Sequence, residues 1–267
     1  LEEFSIKSFR GGVLEEKIDR VTEEAPLTIE LNGQELATLL CSPSDLKCLV
    51  LGFLYTSGII EDAAAVRSLT LDQERWKAYV ETAVTLPPEM LFKRIYTSGC
   101  GKGIIFHNTL DLVQRVSLTD NFTMTGESFI DLMKTFITSS EEFRQTGGVH
   151  SAALFNAGAT IFKDDLGRHN AIDKVIGEGL LKKIDFTSQV ALTSGRISSE
   201  IVTKMLRCRI PILASSGAPT NQAVKLARGA DLTLLGFVRG QRMNVYSGER
   251  RLLGRKTAAV NIGFPIP

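Results

Sequence analysis

Hydrophobic and polar positions follow two different periods along this chain. Residues 26–40 (PLTIELNGQELATLL) carry two alternating runs around Asn32-Gly33, a dipeptide that supplies the positive φ angles of a tight hairpin turn. Ser42-Pro43-Ser44-Asp45 then signals a helix start, and Leu46, Leu49, Val50, Phe53 and Leu54 recur at helical spacing until Gly58. Further strands are predicted near 66–71 and 76–84, with Pro87-Pro88 as punctuation. Hairpin, helix and more strand predict a small α+β roll over the first hundred residues.

The second half alternates on a longer scale. The periodicity predicts a helix over 126–139, strands over 149–155 and 159–163, and a helix over about 169–182. It continues with strand 189–193, helix 197–207, strand 210–214, helix 219–229 and strands 232–237 and 243–247. Strands alternating with helices of this length imply a sheet covered by helices. The expected class is therefore α/β (α+β overall), divided near residue 117 into units 1–117 and 118–267. No apolar run reaches the roughly 18 residues of a membrane span, and the N-terminus lacks a basic-then-apolar signal segment. A cytoplasmic protein is expected.

Charge changes this picture once it is resolved along the chain. The 267 residues hold 31 Lys+Arg and 30 Asp+Glu, a formal net charge of +1, with 43% hydrophobic and 23% charged residues. Residues 195–260, however, contain 12 Lys+Arg and 3 Asp+Glu, a net of +9, and the rest of the chain carries −8. A protein basic throughout is excluded, while a local positive field suits an anionic ligand. The four cysteines (Cys41, Cys48, Cys100, Cys208) show no C-x-x-C spacing, and His107, His150 and His169 are scattered. No metal site can be read from such spacing, and cysteine chemistry must use a single thiol.

Five segments carry candidate chemistry. In TSGCGKG, glycines 99, 101 and 103 bracket Cys100 and strip bulk from around its sulfur. The segment reads either as an accessible thiol, favoured as thiolate by Lys102 and backbone N–H groups, or as a glycine-rich turn with an incidental cysteine. Cys41 and Cys48 read as core, and Cys208, between two arginines, as a second-choice thiol. Residues 164–174 place Arg168, His169 and Asn170 at a helix start, where N–H groups and the dipole favour an anion, although plain capping is the competing reading. TSGRISSE (Ser194, Gly195, Arg196) and ASSGAPTNQ (Ser215, Ser216, Thr220) each follow a strand and open a helix with hydroxyls and a glycine. Neither matches a Walker A or G-x-G-x-x-G pattern. Finally, Arg239 and Arg242 flank a Gly-Gln turn, as a phosphate fork or as a solvated hairpin tip. His150 reads as structural.

In order, TSGCGKG, GGVHSAALF, DDLGRHNAIDKVIG, TSGRISSEIVTKM, ASSGAPTNQAVKLA and LLGFVRGQRMNVYS resemble the formate dehydrogenase accessory sulfurtransferase family, FdhD/NarQ, from about residue 10 onward. The resemblance implies a small N-terminal α+β roll followed by a cytidine-deaminase-like three-layer α/β/α domain, as a cytoplasmic homodimer. It implies a sulfurtransferase that accepts sulfur from a cysteine desulfurase as a persulfide. That sulfur is delivered to the molybdenum cofactor bearing two pterin guanine dinucleotides, which activates formate dehydrogenase; GDP is then a partial mimic of the ligand. Neither nucleic acid nor membrane is implied as a partner, and no structural metal. Residue by residue, Cys100 looks like the persulfide cysteine, and Phe237, Val238, Arg239, Gly240, Gln241 and Arg242 look like the cofactor-binding segment. One common family pattern has two loop cysteines (C-G-x-C-G) where this chain has one, and persulfide carriage needs only one sulfur. A binding-only chaperone for the molybdenum cofactor is the alternative. A zinc nucleoside deaminase is disfavoured, because Ala152 stands where that class has its glutamate and P-C-x-x-C is missing.

Overall fold

The computed structural model describes residues 1–84, 116–120, 122–156 and 159–253. It opens on a hairpin that the sequence pattern does not announce: β1 (Glu2–Arg10) and β2 (Val13–Val21) pair antiparallel around Gly11-Gly12. Almost all of its side chains face solvent, so no buried face imposes a period on the sequence.

The next unit follows expectation. Asn32 (φ 50°) and Gly33 (φ 81°) turn β3 (Ala25–Leu31) onto β4 (Gln34–Cys41). α1 (Leu46–Thr56), β5 (Val66–Asp72) and β6 (Lys77–Thr82) complete a four-stranded sheet of order β4-β3-β6-β5. Leu27, Ile29 and Leu31 alternate inward against Leu49, Val50, Phe53 and Leu54 of α1, each buried side chain contributing about 1.5–3 kcal/mol.

The larger unit holds β7 (Met124–Thr125), α2 (Gly126–Thr138), the short α3 (Glu141–Thr146), β8 (His150–Asn156), β9 (Ala159–Asp165) and α4 (Arg168–Leu181). It continues with β10 (Val190–Thr193), α5 (Ser199–Cys208), β11 (Ile212–Ser215), α6 (Asn221–Gly229), β12 (Thr233–Arg239), β13 (Arg242–Ser247) and β14 (Leu252–Leu253). A six-stranded mixed sheet runs β13-β12-β11-β10-β8-β9, with β10, β11 and β12 parallel. Ala191, Leu213 and Leu234 face α4, α5 and α6. Their neighbours Val190, Leu192, Ile212 and Leu235 face Phe129, Met133 and Phe136 of α2. The sheet thus lies between two helical layers, as expected of an α/β/α arrangement. No helix among the described residues is long and apolar enough to cross a membrane.

α1 and α4 join the two sheets at very short range. A Cβ at Gly52 would lie 1.8 Å from Asp173 O, and one at Gly177 would lie 1.9 Å from Cys48 O. Only glycine lets the two backbones meet in this way. Around them, Lys174 pairs with Asp165 at 2.7 Å, both fully buried, and Asp165 also accepts from Ser42 N at 3.1 Å. Lys204 pairs with Asp173 at 2.7 Å, beside the Thr56 hydroxyl, which donates to Asp173 at 2.8 Å. Farther along, the fully buried Arg251 donates to Asp120 at 2.6 Å and to Leu118 O at 3.1 Å.

Candidate functional site

β10, β11 and β12 are parallel, so the loops that leave their C-terminal ends meet on one side of the sheet, the place where open α/β sheets bind ligands. β8 runs the other way and begins there, at His150. The two strand-to-helix loops predicted from sequence are laced together. Ser215 Oγ donates to Gly195 O at 2.7 Å, Ser216 Oγ to Ser194 O at 3.3 Å, and Ile197 N to Ala218 O at 3.0 Å. Phe237 N donates to Gly217 O at 2.9 Å, which ties the end of β12 to the same cluster. A Cβ at Gly195 would lie 2.9 Å from Arg168 Cβ, so the missing side chain is what lets α4 bring Arg168 over the loop. Three helix N-termini (α4, α5, α6) and Arg168 therefore border one surface, and each N-terminus carries about half a positive charge.

The predicted residues divide by what they touch. Ser194, Gly195, Ser216 and Arg168 stand at the centre, with Arg196 exposed beside them. Ser215 is fully buried and braces the loops, accepting from Gly217 N at 2.9 Å. Thr220 caps α6 by accepting from Ala223 N at 3.3 Å. Asn170 donates to Leu40 O at 2.8 Å and Asp165 at 2.9 Å, fastening the start of α4 to the smaller sheet. Phe237 adopts φ 52°, left-handed backbone at a sheet irregularity, and Arg239 lies over its ring at 5.6 Å. Arg239, Gly240, Gln241 and Arg242 form an exposed turn, while Val238 is buried against α2. Cys100 lies outside the described residues.

Sequence reasoning missed the wall of the site. A cavity of 300 Å³ opens between Phe136, Phe143, Val149, His150, Ser194 and Ser216. Its aromatic side comes from α2, whose spacing shows only an apolar stripe, and from Phe143, the one apolar residue of α3. The Gly147-Gly148 break before His150 was the available signal. His150 Nδ1 lies 3.4 Å from Ser194 Oγ, which also accepts from Ser151 N at 2.9 Å. Burial, then Arg168, hold the His150 imidazole below its ordinary pKa. His169 is pushed down to about 2 by burial, followed by Lys204 and Arg168. It lies 3.4 Å from both Ser198 Oγ and Glu200 Oε2, and burial raises the Glu200 carboxyl. The rim thus keeps its imidazoles neutral and leaves positive charge to arginine and helix ends.

The described thiols are poor nucleophiles. Burial pushes Cys41 up to about 12 and raises Cys208 and Cys48. The second-choice thiol, Cys208, is therefore a core residue. Cys48, expected in the core, is only half-buried. It sits with Asp45 and Glu178, a grouping already occupied by the Lys163 ammonium at 2.7 Å and 2.6 Å from the two carboxylates.

The FdhD/NarQ family model matches residues 22–253, the span that builds both sheets and every loop of this site. The chain belongs to the FdhD/NarQ family. Relatives named sulfur carrier protein FdhD include one from Geobacillus kaustophilus, 38% identical over 251 residues, covering 93% of this chain and 95% of the relative. Another, from Halalkalibacterium halodurans, is 40% identical over 245 residues and covers 89% and 90%. The crystal structure of a candidate formate dehydrogenase accessory protein from Desulfotalea psychrophila superposes with a TM-score of 0.77 at 26% identity, covering 94% of this chain and 99% of that one. In this FdhD/NarQ chain the laced loops, Arg168 and the Phe237 bulge form one continuous surface.

Proposed function

We propose that this protein is a cytoplasmic sulfur carrier that works as a homodimer, takes sulfur from a cysteine desulfurase onto Cys100, and delivers it to a molybdenum cofactor bearing two pterin guanine dinucleotides. Formate dehydrogenase is the enzyme so activated. In the loading step the Cys100 thiolate attacks the terminal sulfur of the donor persulfide. The new S–S bond forms as the old one breaks, and the desulfurase cysteine leaves as thiolate. The ligand's phosphates bind at the sheet end, against the loops holding Ser194, Gly195 and Ser216, with Arg168, Arg196, Arg239 and Arg242 as counter-charges.

The observation that carries this is the convergence of three helix N-termini, two hydroxyl-and-glycine loops and the basic Phe237–Arg242 segment on one side of one sheet. A polyanion with several phosphates fits that surface better than a neutral metabolite. Support for Cys100 is by exclusion: burial raises the pKa of the other three thiols, which disfavours the thiolate that would attack a persulfide.

Intact-protein mass after incubation with a cysteine desulfurase and cysteine tests the assignment. A gain of one sulfur is expected in the wild type and in Cys208→Ala, and none in Cys100→Ala, which should still bind GDP. Full restoration of formate dehydrogenase by Cys100→Ala, in cells lacking their own accessory protein, would instead establish a binding-only chaperone.

A further inference from the structure

The β1–β2 hairpin is a surface that the described residues leave incomplete. It forms a sheet of two strands, and no third strand among the described residues pairs with either edge. Two-stranded ribbons are marginal in water, and independent stability generally needs a third strand or a packing partner. Phe4, Phe9, Val13, Leu14 and Ile18 are 44%, 71%, 57%, 64% and 62% exposed. The hydrogen bonds that tether the hairpin to α3 start from Arg20, to Gln145 at 3.0 Å, and from Thr22, to Thr146 at 2.9 Å. They engage the β2 side and leave β1 as the outer strand.

The two edges differ in kind. β2 carries Glu15, Glu16, Lys17, Asp19 and Arg20 in close succession, the charge density by which natural edges resist pairing. β1 reads EEFSIKSFR, with Glu2, Glu3 and Arg10 at its ends and Lys7 as the one charge among Phe4, Ser5, Ile6, Ser8 and Phe9. That is an edge able to pair.

We propose that two copies of this chain join through their β1 edges, antiparallel about a twofold axis at Ser5, into one four-stranded sheet. A twofold axis normal to a sheet makes the strands antiparallel and keeps equivalent side chains on the same face. Only registers whose paired residue numbers sum to an even value satisfy this. Centred on Ser5, every pair is compatible. Glu3 stands opposite the partner's Lys7, Phe4 opposite the partner's Ile6, Glu2 opposite the partner's Ser8, and Phe9 opposite the partner's Leu1. Within each hairpin Lys7 lies opposite Glu16 and Glu3 opposite Arg20. Across the four strands, Glu16, Lys7, the partner's Glu3 and the partner's Arg20 then form a row of alternating sign. Phe9 and Leu14, which face each other, extend into an apolar row with the partner's Leu1. Moving the axis by one residue, to Ile6, sets Lys7 opposite the partner's Ser5 and loses the alternating charge row, and moving it by two, to Lys7, puts Lys7 opposite the partner's Lys7, where like charges directly opposed resist pairing.

This rests on the homodimer part of the preceding reading and not on sulfur transfer. The test is a Ser5→Cys substitution in a Cys100→Ala background, oxidised with oxidised glutathione and run without reductant. Ser5 and its symmetry mate have Cα atoms about 4.5–5.5 Å apart in such a pair, inside the disulfide range of about 4.4–6.8 Å. Covalent dimer is expected there and none for Arg10→Cys, whose mates lie about 33 Å apart at the strand rise. In sedimentation, Lys7→Glu should weaken the dimer about tenfold, a change of about 1.4 kcal/mol. Equal cross-linking of the two cysteine variants, or a dimer untouched by Lys7→Glu, would overturn the edge pairing and leave a homodimer of other geometry. A wild-type monomer would overturn both, and neither result would alter sulfur loading on Cys100 read by mass.

Discussion

The seam between α1 and α4 and the β1–β2 hairpin use similar residues and reach opposite states. In the seam, charges are buried and each is answered within the chain: Lys174 by Asp165 and the Ser42 and Asp164 carbonyls, Lys204 by Asp173 and Thr56. In the hairpin, Phe9 and Leu14 stand in solvent, and the ion pairs Lys17–Asp19 and Arg20–Glu3 lie on the exposed ribbon itself. What separates them is distance between backbones. Gly52 and Gly177 let two helices approach until nothing else fits, so buried charge there has fixed partners. Among the described residues, no strand other than β2 pairs with β1.

This contrast can be broken from its buried side first. Lys174→Met removes one member of a fully buried pair and strands Asp165, and should cost about 3–5 kcal/mol of unfolding free energy in urea titrations. A loss below about 1 kcal/mol, the range of surface pairs, would mean that the seam is open to water.

A smaller effect is expected at the start of α4, where seam and site meet. The His169 pKa falls from 6.5 to about 2 on folding, so the folded state binds fewer protons between those values. Stability is then full above the unfolded pKa and declines as pH falls through it. Between about pH 7.5 and about pH 5.5 this imidazole should cost about 1 kcal/mol. Glu200, whose carboxyl is raised by burial, acts in the opposite direction. The difference between wild type and His169→Gln in parallel urea titrations isolates the histidine, and equal pH slopes in the two would show that His169 meets water.

The smallest effect belongs to the hairpin. At protein concentrations too low for association, Phe9→Thr should change unfolding free energy by no more than about 0.5 kcal/mol, as for other surface substitutions. A larger loss in that monomer regime would show that Phe9 is held by its own chain and would erase the contrast.

The same contrast marks what the sequence reveals. Asn32-Gly33 announces its hairpin because one face is buried and the alternation is therefore enforced. Gly11-Gly12 is as good a turn signal, yet its strands mix Phe, Ile and Val with charge on both faces, so no period appears. The loops at Ser194, Gly195 and Ser216 are readable as anion sites because their residue types carry the chemistry locally. The cavity wall is not readable, since the α2 stripe holding Phe136 looks alike whether it faces a core or a ligand, and Phe143 is a lone apolar residue in a polar turn of helix. Gly52 and Gly177 escape notice for a related reason. Each lies inside a helix, where a glycine shows only as lowered propensity, and its meaning depends on a partner more than a hundred residues away.

Arg251 gives the molecule a sense of time. Its guanidinium grips Asp120 across 131 residues of chain, so a ribosome making this protein releases Asp120 well before the residue that will hold it. At about 5–20 residues per second that interval is on the order of ten seconds. By then all six strands of the large sheet have been synthesised. Leu118 O and the Asp120 carboxylate receive this guanidinium only as a closing act, after the surface at the sheet end has the strands to form.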